Sequence, residues 1–265
     1  MDAGNTIEIR DLSADYGSRR VLHNISFDIR QGEIMVIIGG SGAGKSTLLR
    51  CMLGLKKPAN GHIHMLGTDI CHASQKDLYK VRNQMGVAFQ GGALFTSMSV
   101  AENIQLPLRE HTDLDENTIQ IMTRIKLDMV NMLPFEHLMP AELSGGMTKR
   151  AALARAIIMD PKLLFFDEPS SGLDPITSAE LDNLIIMLKE SMRMTIVVVT
   201  HELESVFAIA DRIAILGDGQ LIQVGTPDEI RSSTDVRVIN LLNRTPRENL
   251  VDGAEHLERL AGDTT

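Results

Sequence analysis

Two short segments near the start of the chain alternate apolar and polar side chains. Residues 7–9 and 26–29 show this period of two, which is typical of strands with one exposed face. Tyr16-Gly17 lies in the turn region between them. This part of the chain is therefore predicted to form an antiparallel sheet.

Three later segments are apolar at every position. Residues 34–38, 163–166 and 196–199 have no polar face, which is typical of strands buried on both sides in a parallel sheet. Longer helical patterns separate them, and strands that alternate with helices favour an α/β fold. The runs are only four or five residues long, whereas a membrane-spanning helix needs about 20 apolar residues. If the protein serves a membrane, another chain must supply the part that crosses it.

The alternation of strands and helices is interrupted at residues 96–156. This stretch has helical patterns and no buried strand, so it is predicted to be a helical subdomain inserted into the core. It contains the helix breakers Pro107, Pro134 and Pro140. From about residue 235 the chain becomes polar. We expect one domain at 1–235 and a C-terminal extension at 236–265.

Composition limits the classes of function. Apolar residues make up 43% of the chain but aromatic residues only 3%, so the core must be aliphatic. The net charge of −9 argues against a nucleic-acid-binding protein, which usually carries a basic face. Cys51 and Cys71 form no metal-binding or redox pair, and reduced thiols are expected.

A glycine-rich loop follows the first buried strand and precedes a helical pattern. It matches the pattern G-x-x-x-x-G-K-[ST] in the strand–loop–helix context that phosphate binding requires. The glycines let backbone N–H groups surround phosphate oxygens, Lys45 reaches the outer phosphates and Ser46 is a ligand for Mg²⁺. The residues predicted to bind nucleotide are Gly39, Gly40, Ser41, Gly42, Ala43, Gly44, Lys45, Ser46 and Thr47.

The second buried strand ends in two carboxylates. Asp167 is predicted to hold Mg²⁺ at the sheet edge beside the loop, and Glu168 to activate the attacking water as general base. An ordinary strand that ends in a solvated acidic turn is the alternative. The glycine-rich loop earlier in the chain favours the catalytic interpretation.

The motif Leu-Ser-Gly-Gly-Met lies between the loop and this acidic strand. Ser144, Gly145 and Gly146 in this position resemble the signature motif of ATP-binding cassette (ABC) ATPases, in which Met147 is usually Gln. The resemblance implies a second phosphate cradle at a helix N-terminus, facing the nucleotide bound by a partner subunit. It also implies the fold: a P-loop NTPase of the ABC nucleotide-binding type, with an antiparallel β subdomain and an inserted helical subdomain.

Further positions follow in the order of the ABC family. Gln90 corresponds to the Q-loop, which senses Mg²⁺ and water, and Asp174 to the D-loop at the dimer interface. His201 corresponds to the switch histidine that contacts the γ-phosphate. Tyr16 has the position of the aromatic residue that stacks on adenine. The resemblance covers about residues 6–230 and implies ATP as the substrate and Mg²⁺ as the cofactor.

One loop and one signature cannot complete a composite site, so the resemblance implies a homodimer that hydrolyses ATP. The segment 91–111 and the helix after the signature resemble ATPases of the Mla/Mce type, which drive phospholipid transport between inner and outer membranes. That resemblance implies an inner-membrane permease dimer, an MCE-domain lipid-binding protein and often a small STAS-domain subunit. The chain is then expected at the cytoplasmic face of the bacterial inner membrane. An ABC ATPase for another cargo and a soluble non-transport ABC ATPase are the alternatives.

Three histidines lie close together outside these motifs. His62 and His64 alternate on one side of a strand-like stretch, and His72 follows. No acidic or cysteine partner has convincing spacing, so no metal site is predicted there.

Overall fold

The computed structural model describes residues 4–245 of the 265-residue chain. The first elements are β1 (Asn5–Tyr16), β2 (Arg19–Arg30), β3 (Ile34–Gly39), α1 (Lys45–Met52), β4 (Asn60–Met65), β5 (Thr68–Asp69), α2 (Gln75–Arg82) and β6 (Met85–Ala88). There follow α3 (Val100–His111), α4 (Glu116–Met129), α5 (Gly145–Ala156), β7 (Leu163–Asp167), α6 (Pro175–Met192) and β8 (Thr195–Val199). The last are α7 (Leu203–Ile209), β9 (Arg212–Gly217), β10 (Gln220–Gly225), α8 (Pro227–Arg231) and α9 (Val236–Leu242).

The larger sheet has the strand order β10-β9-β3-β8-β7-β6. All neighbouring strands are parallel except β10, which pairs with β9 in the antiparallel direction. The three apolar runs are β3, β8 and β7, which lie side by side in the middle of this sheet. The prediction of buried parallel strands is therefore confirmed.

Alternate residues of these strands belong to two different cores. On β3, Ile34, Val36 and Ile38 pack with the core formed by α3 to α9. Met35 and Ile37 pack with α1, α2 and the smaller sheet. Both faces of the sheet are covered, which explains why these strands have no polar face.

The smaller sheet is antiparallel, with the strand order β2-β1-β4-β5. β1 and β2 are 12 residues long, much longer than the pattern predicted. The register shifts between Ile9 and Leu12, where Asp11 has a φ of 49°, so the period of two is broken inside the strand. Tyr16 does not lie in the turn, because it pairs with Arg19 at the end of β1.

The expected helical insertion is present, but Pro107 does not end a helix as the sequence suggested. It lies inside α3, which begins with a capping box of Ser99 and Glu102 and buries Ile104 and Leu108. Proline removes one helical hydrogen bond. Burial of the apolar face and the cap outweigh that loss.

The proposed division into a domain at 1–235 and an extension at 236–265 stays a prediction. α9 begins the predicted extension, and the part from residue 246 onward lies outside the described residues. Val238 of α9 is fully buried against the main core. Within residues 4–245, none of the helices combines the length and apolarity needed to cross a membrane.

Candidate active site

The loop between β3 and α1 has glycines at both ends that a larger residue could not replace. A Cβ atom on Gly39 would lie 2.3 Å from the carbonyl oxygen of Leu216. Gly44 has a φ of 100°, and a Cβ atom there would lie 2.5 Å from Cδ2 of Leu22. The bare backbone leaves room for phosphate oxygens to approach the N-terminus of α1. This geometry fits the phosphate loop that the sequence predicts.

The Lys45 ammonium lies over this loop. Nζ donates hydrogen bonds to the carbonyl oxygens of Gly39 at 2.7 Å and Gly40 at 3.3 Å. Burial lowers the pKa of Lys45, although the charges of Glu168 and Asp167 act in the opposite direction. The carbonyls hold the cation where phosphate oxygens could take their place as acceptors.

The remaining loop residues differ in what they can offer a ligand. Ser41, Gly42 and Ser46 are exposed, whereas Ala43 and Thr47 are buried. Ala43 packs in an apolar core, and the Thr47 hydroxyl contacts the Tyr16 phenol. The contacts of Ala43 and Thr47 with nucleotide stay a prediction. The Ser46 hydroxyl, at the second position of α1, stays available as a Mg²⁺ ligand.

Asp167 and Glu168 lie where β7 ends. Burial and the neighbouring Glu168 charge raise the pKa of Asp167, while Arg50, Lys45 and Lys149 lower it. Glu168 has a φ of 50°, which is uncommon for a residue with a side chain and is typical of strained functional positions. The two carboxylates thus leave the strand in different backbone conformations.

The Glu168 carboxylate contacts the end of β8. Its Oε2 accepts a hydrogen bond from Thr200 Oγ1 at 3.1 Å and lies 2.9 Å from His201 Nδ1. His201 Nε2 lies 3.4 Å from the Glu202 carboxylate. The predicted base and the predicted switch histidine are therefore brought together. Thr200 is a partner that the sequence reasoning missed, although it directly precedes His201.

Glu168, His201 and the loop face the same open cleft. Its lining includes Gly39, Gly40, Ser41 and Lys45 together with the β9–β10 turn. Arg237, Asn240 and Arg244 line the same cleft. These last residues belong to α9 and the segment after it, whose place beside the loop no sequence motif indicated.

Gln90 lies outside the residues that line this cleft, in the loop after β6. Its Nε2 donates a hydrogen bond to Ser171 Oγ at 3.3 Å, which joins the predicted Q-loop to the predicted D-loop. Its carbonyl oxygen accepts a hydrogen bond from Lys149 Nζ, which also donates to the carbonyl oxygen of Glu168 at 3.1 Å. Burial lowers the pKa of Lys149, against the effect of the Glu168 and Asp167 charges.

Lys149 therefore bridges two predicted catalytic residues. The sequence reasoning missed this lysine. It lies on α5, one helical turn after Gly145. A lysine in that position, followed by a strand that ends in two carboxylates, was the available signal.

Ser144 is the N-cap of α5, where its Oγ accepts a hydrogen bond from the Met147 N–H at 3.3 Å. A Cβ atom on Gly146 would lie 2.7 Å from Cγ2 of Thr177, so this end of α5 packs closely on the start of α6. Ser144 and both signature glycines lie outside the cleft that contains Lys45.

Met147 packs against the main apolar core. An apolar side chain at this position therefore contributes to packing on α5. The backbone N–H of the same residue completes the Ser144 cap, so the departure from the usual Gln leaves the cap intact.

Asp174 is the N-cap of α6. Its carboxylate accepts hydrogen bonds from the N–H groups of Ile176 and Thr177, both at 3.1 Å, and from the Thr177 hydroxyl at 2.6 Å. It does not line the cleft. Its predicted contact with ATP stays a prediction.

Tyr16 also lies outside the cleft-lining residues. Its hydroxyl accepts a hydrogen bond from Arg50 at 3.2 Å, which lowers the pKa of the phenol. Lys56 Nζ lies 3.9 Å from the ring centroid. The ring is 44% exposed, and stacking on adenine stays a prediction.

The residues around the loop form a set suited to a phosphate chain and a hard cation. Lys45 supplies positive charge, Ser46 and Asp167 supply hydroxyl and carboxylate oxygens, and Mg²⁺ prefers oxygen ligands. Glu168 lines the cleft, and its carboxylate has the acceptor atoms that a general base needs. The arrangement can therefore bind a nucleoside triphosphate and activate a water molecule.

Comparison with known proteins identifies the family. Residues 22–171 match the family model described as ABC transporter. The chain is 44% identical over 238 residues to the intermembrane phospholipid transport system ATP-binding protein MlaF of Haemophilus influenzae, with 90% of each chain covered. It is 40% identical to the "Probable ribonucleotide transport ATP-binding protein mkl" of Mycobacterium leprae, covering 92% of this chain and 70% of that protein.

Solved structures agree with this family. The dimeric post-hydrolysis structure of the ATP-binding cassette MJ0796 with ADP and Pi superposes with a TM-score of 0.76 at 28% identity, covering 83% of this chain and 98% of that one. The predicted fold class is confirmed by this similarity. The chain therefore belongs to the ABC transporter family and is an ATPase of that family.

Proposed function

We propose that this chain is the ATP-hydrolysing subunit of a transporter that moves phospholipid between the inner and outer membranes. The observation that carries the proposal is the 44% identity over 90% of both chains to an ATPase named for intermembrane phospholipid transport. The similarity extends over the cassette as a whole and is not confined to the nucleotide motifs.

In the proposed reaction the loop residues and Lys45 bind the β- and γ-phosphates. Glu168 accepts a proton from the attacking water, and His201, 2.9 Å from its Oε2, contacts the γ-phosphate. Ser46, Asp167 and Gln90 would hold Mg²⁺, which neutralises charge on the phosphate oxygens when it is bound. Lys149 holds the backbone of Gln90 and Glu168 in place.

Two copies of the chain are needed to complete each site. The absence of Ser144 and both signature glycines from the lining of their own chain's cleft supports a role toward a partner's nucleotide. The predicted D-loop contacts the signature within one chain, because Gly145 packs near Leu173. A homodimer with two composite sites is therefore the proposed assembly.

The segment after Gln90 is proposed as the docking site for a permease helix. The fully buried Asn103 fixes this segment. Its Nδ2 donates hydrogen bonds to the carbonyl oxygens of Phe95, Met98 and Ser99. Arg155 donates to the carbonyl oxygens of the same loop at residues 92 and 93. The clamped loop exposes 51% of Phe95, an apolar anchor on a rigid support.

The proposed complex contains an inner-membrane permease dimer, an MCE-domain lipid-binding protein and a small STAS-domain subunit. The ATPase would be peripheral, at the cytoplasmic face. A ribonucleotide cargo is the second candidate, because a relative with that printed function is 40% identical. The cassette does not contact cargo, so other subunits decide between the two.

Purification of the tagged chain from native membranes tests the proposal. Wild-type and Glu168→Gln proteins should both recover a permease and an MCE-domain protein, and the solvent extract should contain phospholipid. Lys45→Ala serves as a control for nucleotide-dependent association. A permease without phospholipid would contradict the lipid cargo, and recovery of no membrane protein would contradict the transporter assignment.

A further inference from the structure

A cluster of two histidines and an aspartate lies on the smaller sheet. His62 Nδ1 and His72 Nδ1 are each 2.8 Å from the same oxygen, Asp69 Oδ2. The imidazole centroids are 4.9 Å apart. His62 lies on β4 and Asp69 ends β5, so the hairpin joins residues seven positions apart.

The hairpin turn explains why the sequence reasoning found no acidic partner for these histidines. Leu66 and Gly67 both have positive φ, 51° and 80°, and so form a tight turn without the usual Asn-Gly signal. The turn pairs His64 with Asp69. The sequence prediction that these histidines lack an acidic partner is therefore wrong.

Both oxygens of the Asp69 carboxylate are held in place. Its Oδ1 accepts a hydrogen bond from the Cys71 N–H at 3.1 Å. Its Oδ2 lies 2.8 Å from Nδ1 of both His62 and His72. A fixed carboxylate with a backbone donor on its second oxygen is the support that metal ligands commonly have.

We propose that His62 Nδ1, His72 Nδ1 and the Asp69 carboxylate bind a divalent first-row transition metal ion, with Zn²⁺ as the preferred member. These three donor atoms lie within 4.8 Å of one another. Zn²⁺ bonds of about 2.0–2.2 Å to nitrogen and oxygen require only that the donors separate slightly. Two imidazoles and a carboxylate select transition metals over Mg²⁺ or Ca²⁺, which prefer oxygen alone.

Metal binding changes the tautomer of the imidazoles in this cluster. A neutral ring whose Nδ1–H donates a hydrogen bond to Asp69 moves that proton to Nε2 through solvent, and the freed Nδ1 lone pair then binds the ion. Water can fill a fourth position. His64 is a second candidate, because it lies beside His62 with its ring centroid 6.0 Å away.

The site is separate from the nucleotide site. None of its three residues lines the cleft that contains Lys45. A bound ion would link β4 to the segment after β5 and thus stabilise the smaller sheet. Its effect belongs to stability and not to the chemistry of ATP hydrolysis.

Zinc chloride titration of the full chain tests the inference, using nucleotide-free protein that has been stripped of metal and carries no polyhistidine tag. Calorimetry should show one zinc ion bound per wild-type chain and a raised unfolding temperature. Asp69→Asn and His72→Gln should each weaken zinc binding by about tenfold or more. In zinc-free buffer, both variants should hydrolyse ATP at the wild-type rate. That result would show that the variants fold.

Two controls separate this cluster from other histidines. His137→Gln removes an imidazole that is 90% exposed and should leave zinc affinity unchanged. His201→Gln removes the histidine beside Glu168 and should likewise leave the titrated site intact. The inference is overturned if the wild type binds no zinc, or if His72→Gln binds it as tightly as the wild type.

Discussion

At the residue scale, Lys149 contacts two carbonyl oxygens and no catalytic side chain. Its ammonium bridges the backbone at Gln90 and Glu168, so we expect it to position both residues. An ammonium suits this task because it has three donors on a flexible stem. The bridge joins the loop after β6 to the strand end that carries the base.

Replacing Lys149 by methionine should lower kcat while leaving KM for ATP nearly unchanged. Misplacement of a base by about 1 Å can cost on the order of 100-fold in rate, so we expect a loss of about 10- to 100-fold. Steady-state ATPase kinetics measure it, and Lys149→Arg should recover part of the activity. Lys80→Met, on exposed α2, is the control for loss of a charge; equal losses in both variants would contradict the bridge.

Asp182 is a second residue with a measurable consequence. It is 6% exposed, and within residues 4–245 its Oδ1 is the buried side-chain oxygen that has no hydrogen-bond partner. Burial raises its pKa, so the folded state favours the protonated acid. This contribution to stability is complete below the ordinary carboxyl pKa and is lost as the pH rises through the higher folded value.

Asp182→Asn should therefore stabilise the protein at pH 7 by about 1 kcal/mol, because it removes a buried charge whose Oδ1 has no hydrogen-bond partner within residues 4–245. The hydrogen bond between Ser205 and the carboxylate acts in the opposite direction. The gain should shrink as the pH falls toward 4. Urea unfolding at several pH values measures it. The exposed Asp113→Asn should show no such trend. A loss of stability at pH 7 in Asp182→Asn would show that the hydrogen bond between Ser205 and the carboxylate outweighs the cost of burying the charge.

At the element scale, sequence pattern predicts strands well where both faces are buried. β3, β7 and β8 could be predicted because every side chain contacts a core and is therefore apolar. β1 could not be predicted in full, because the irregularity at Asp11 shifts its period. The prediction that Pro107 breaks a helix was also wrong, because burial of the apolar face of α3 outweighs the local effect of the proline.

The contact between β6 and α5 provides a test of packing. A Cβ atom on Gly86 would lie 2.2 Å from the carbonyl oxygen of Ala156, so Gly86→Ala must separate the strand from the helix. We expect a loss of about 1–3 kcal/mol in the free energy of unfolding, measured in urea. Gly91→Ala is the matched control, because its Cβ would meet nothing within 4 Å.

Similar stability of the two glycine variants would contradict this packing. A loss of unfolding free energy in Gly86→Ala alone would support the close packing of β6 on α5. Since Ser144 caps α5 and Lys149 lies on it, a shift of this helix should also lower ATP turnover.

At the scale of the whole molecule, the sequence motifs divide into two groups that one chain does not bring together. The loop, Glu168 and His201 share a cleft, while Ser144 and Asp174 cap helices outside it. Motif order predicted the roles, and the fold adds that Ser144, Gly145 and Gly146 do not line the cleft that contains Lys45. The position of α9 and the Asp69 cluster could not be predicted, because both depend on contacts between distant segments.

We propose that a single chain holds half of each hydrolytic site. Sedimentation of the full-length Glu168→Gln variant, with and without saturating MgATP, tests this proposal most directly. The substitution should slow hydrolysis and leave ATP bound. Ser144→Arg, added to the same variant, places bulk and charge in the second cradle and is the matched control.

We expect the Glu168→Gln variant to be a monomer without nucleotide and a dimer with MgATP. With Ser144→Arg added, it should be a monomer under both conditions. The proposal would be contradicted if the Glu168→Gln chain stays monomeric at saturating MgATP and the wild-type turnover per chain does not depend on protein concentration.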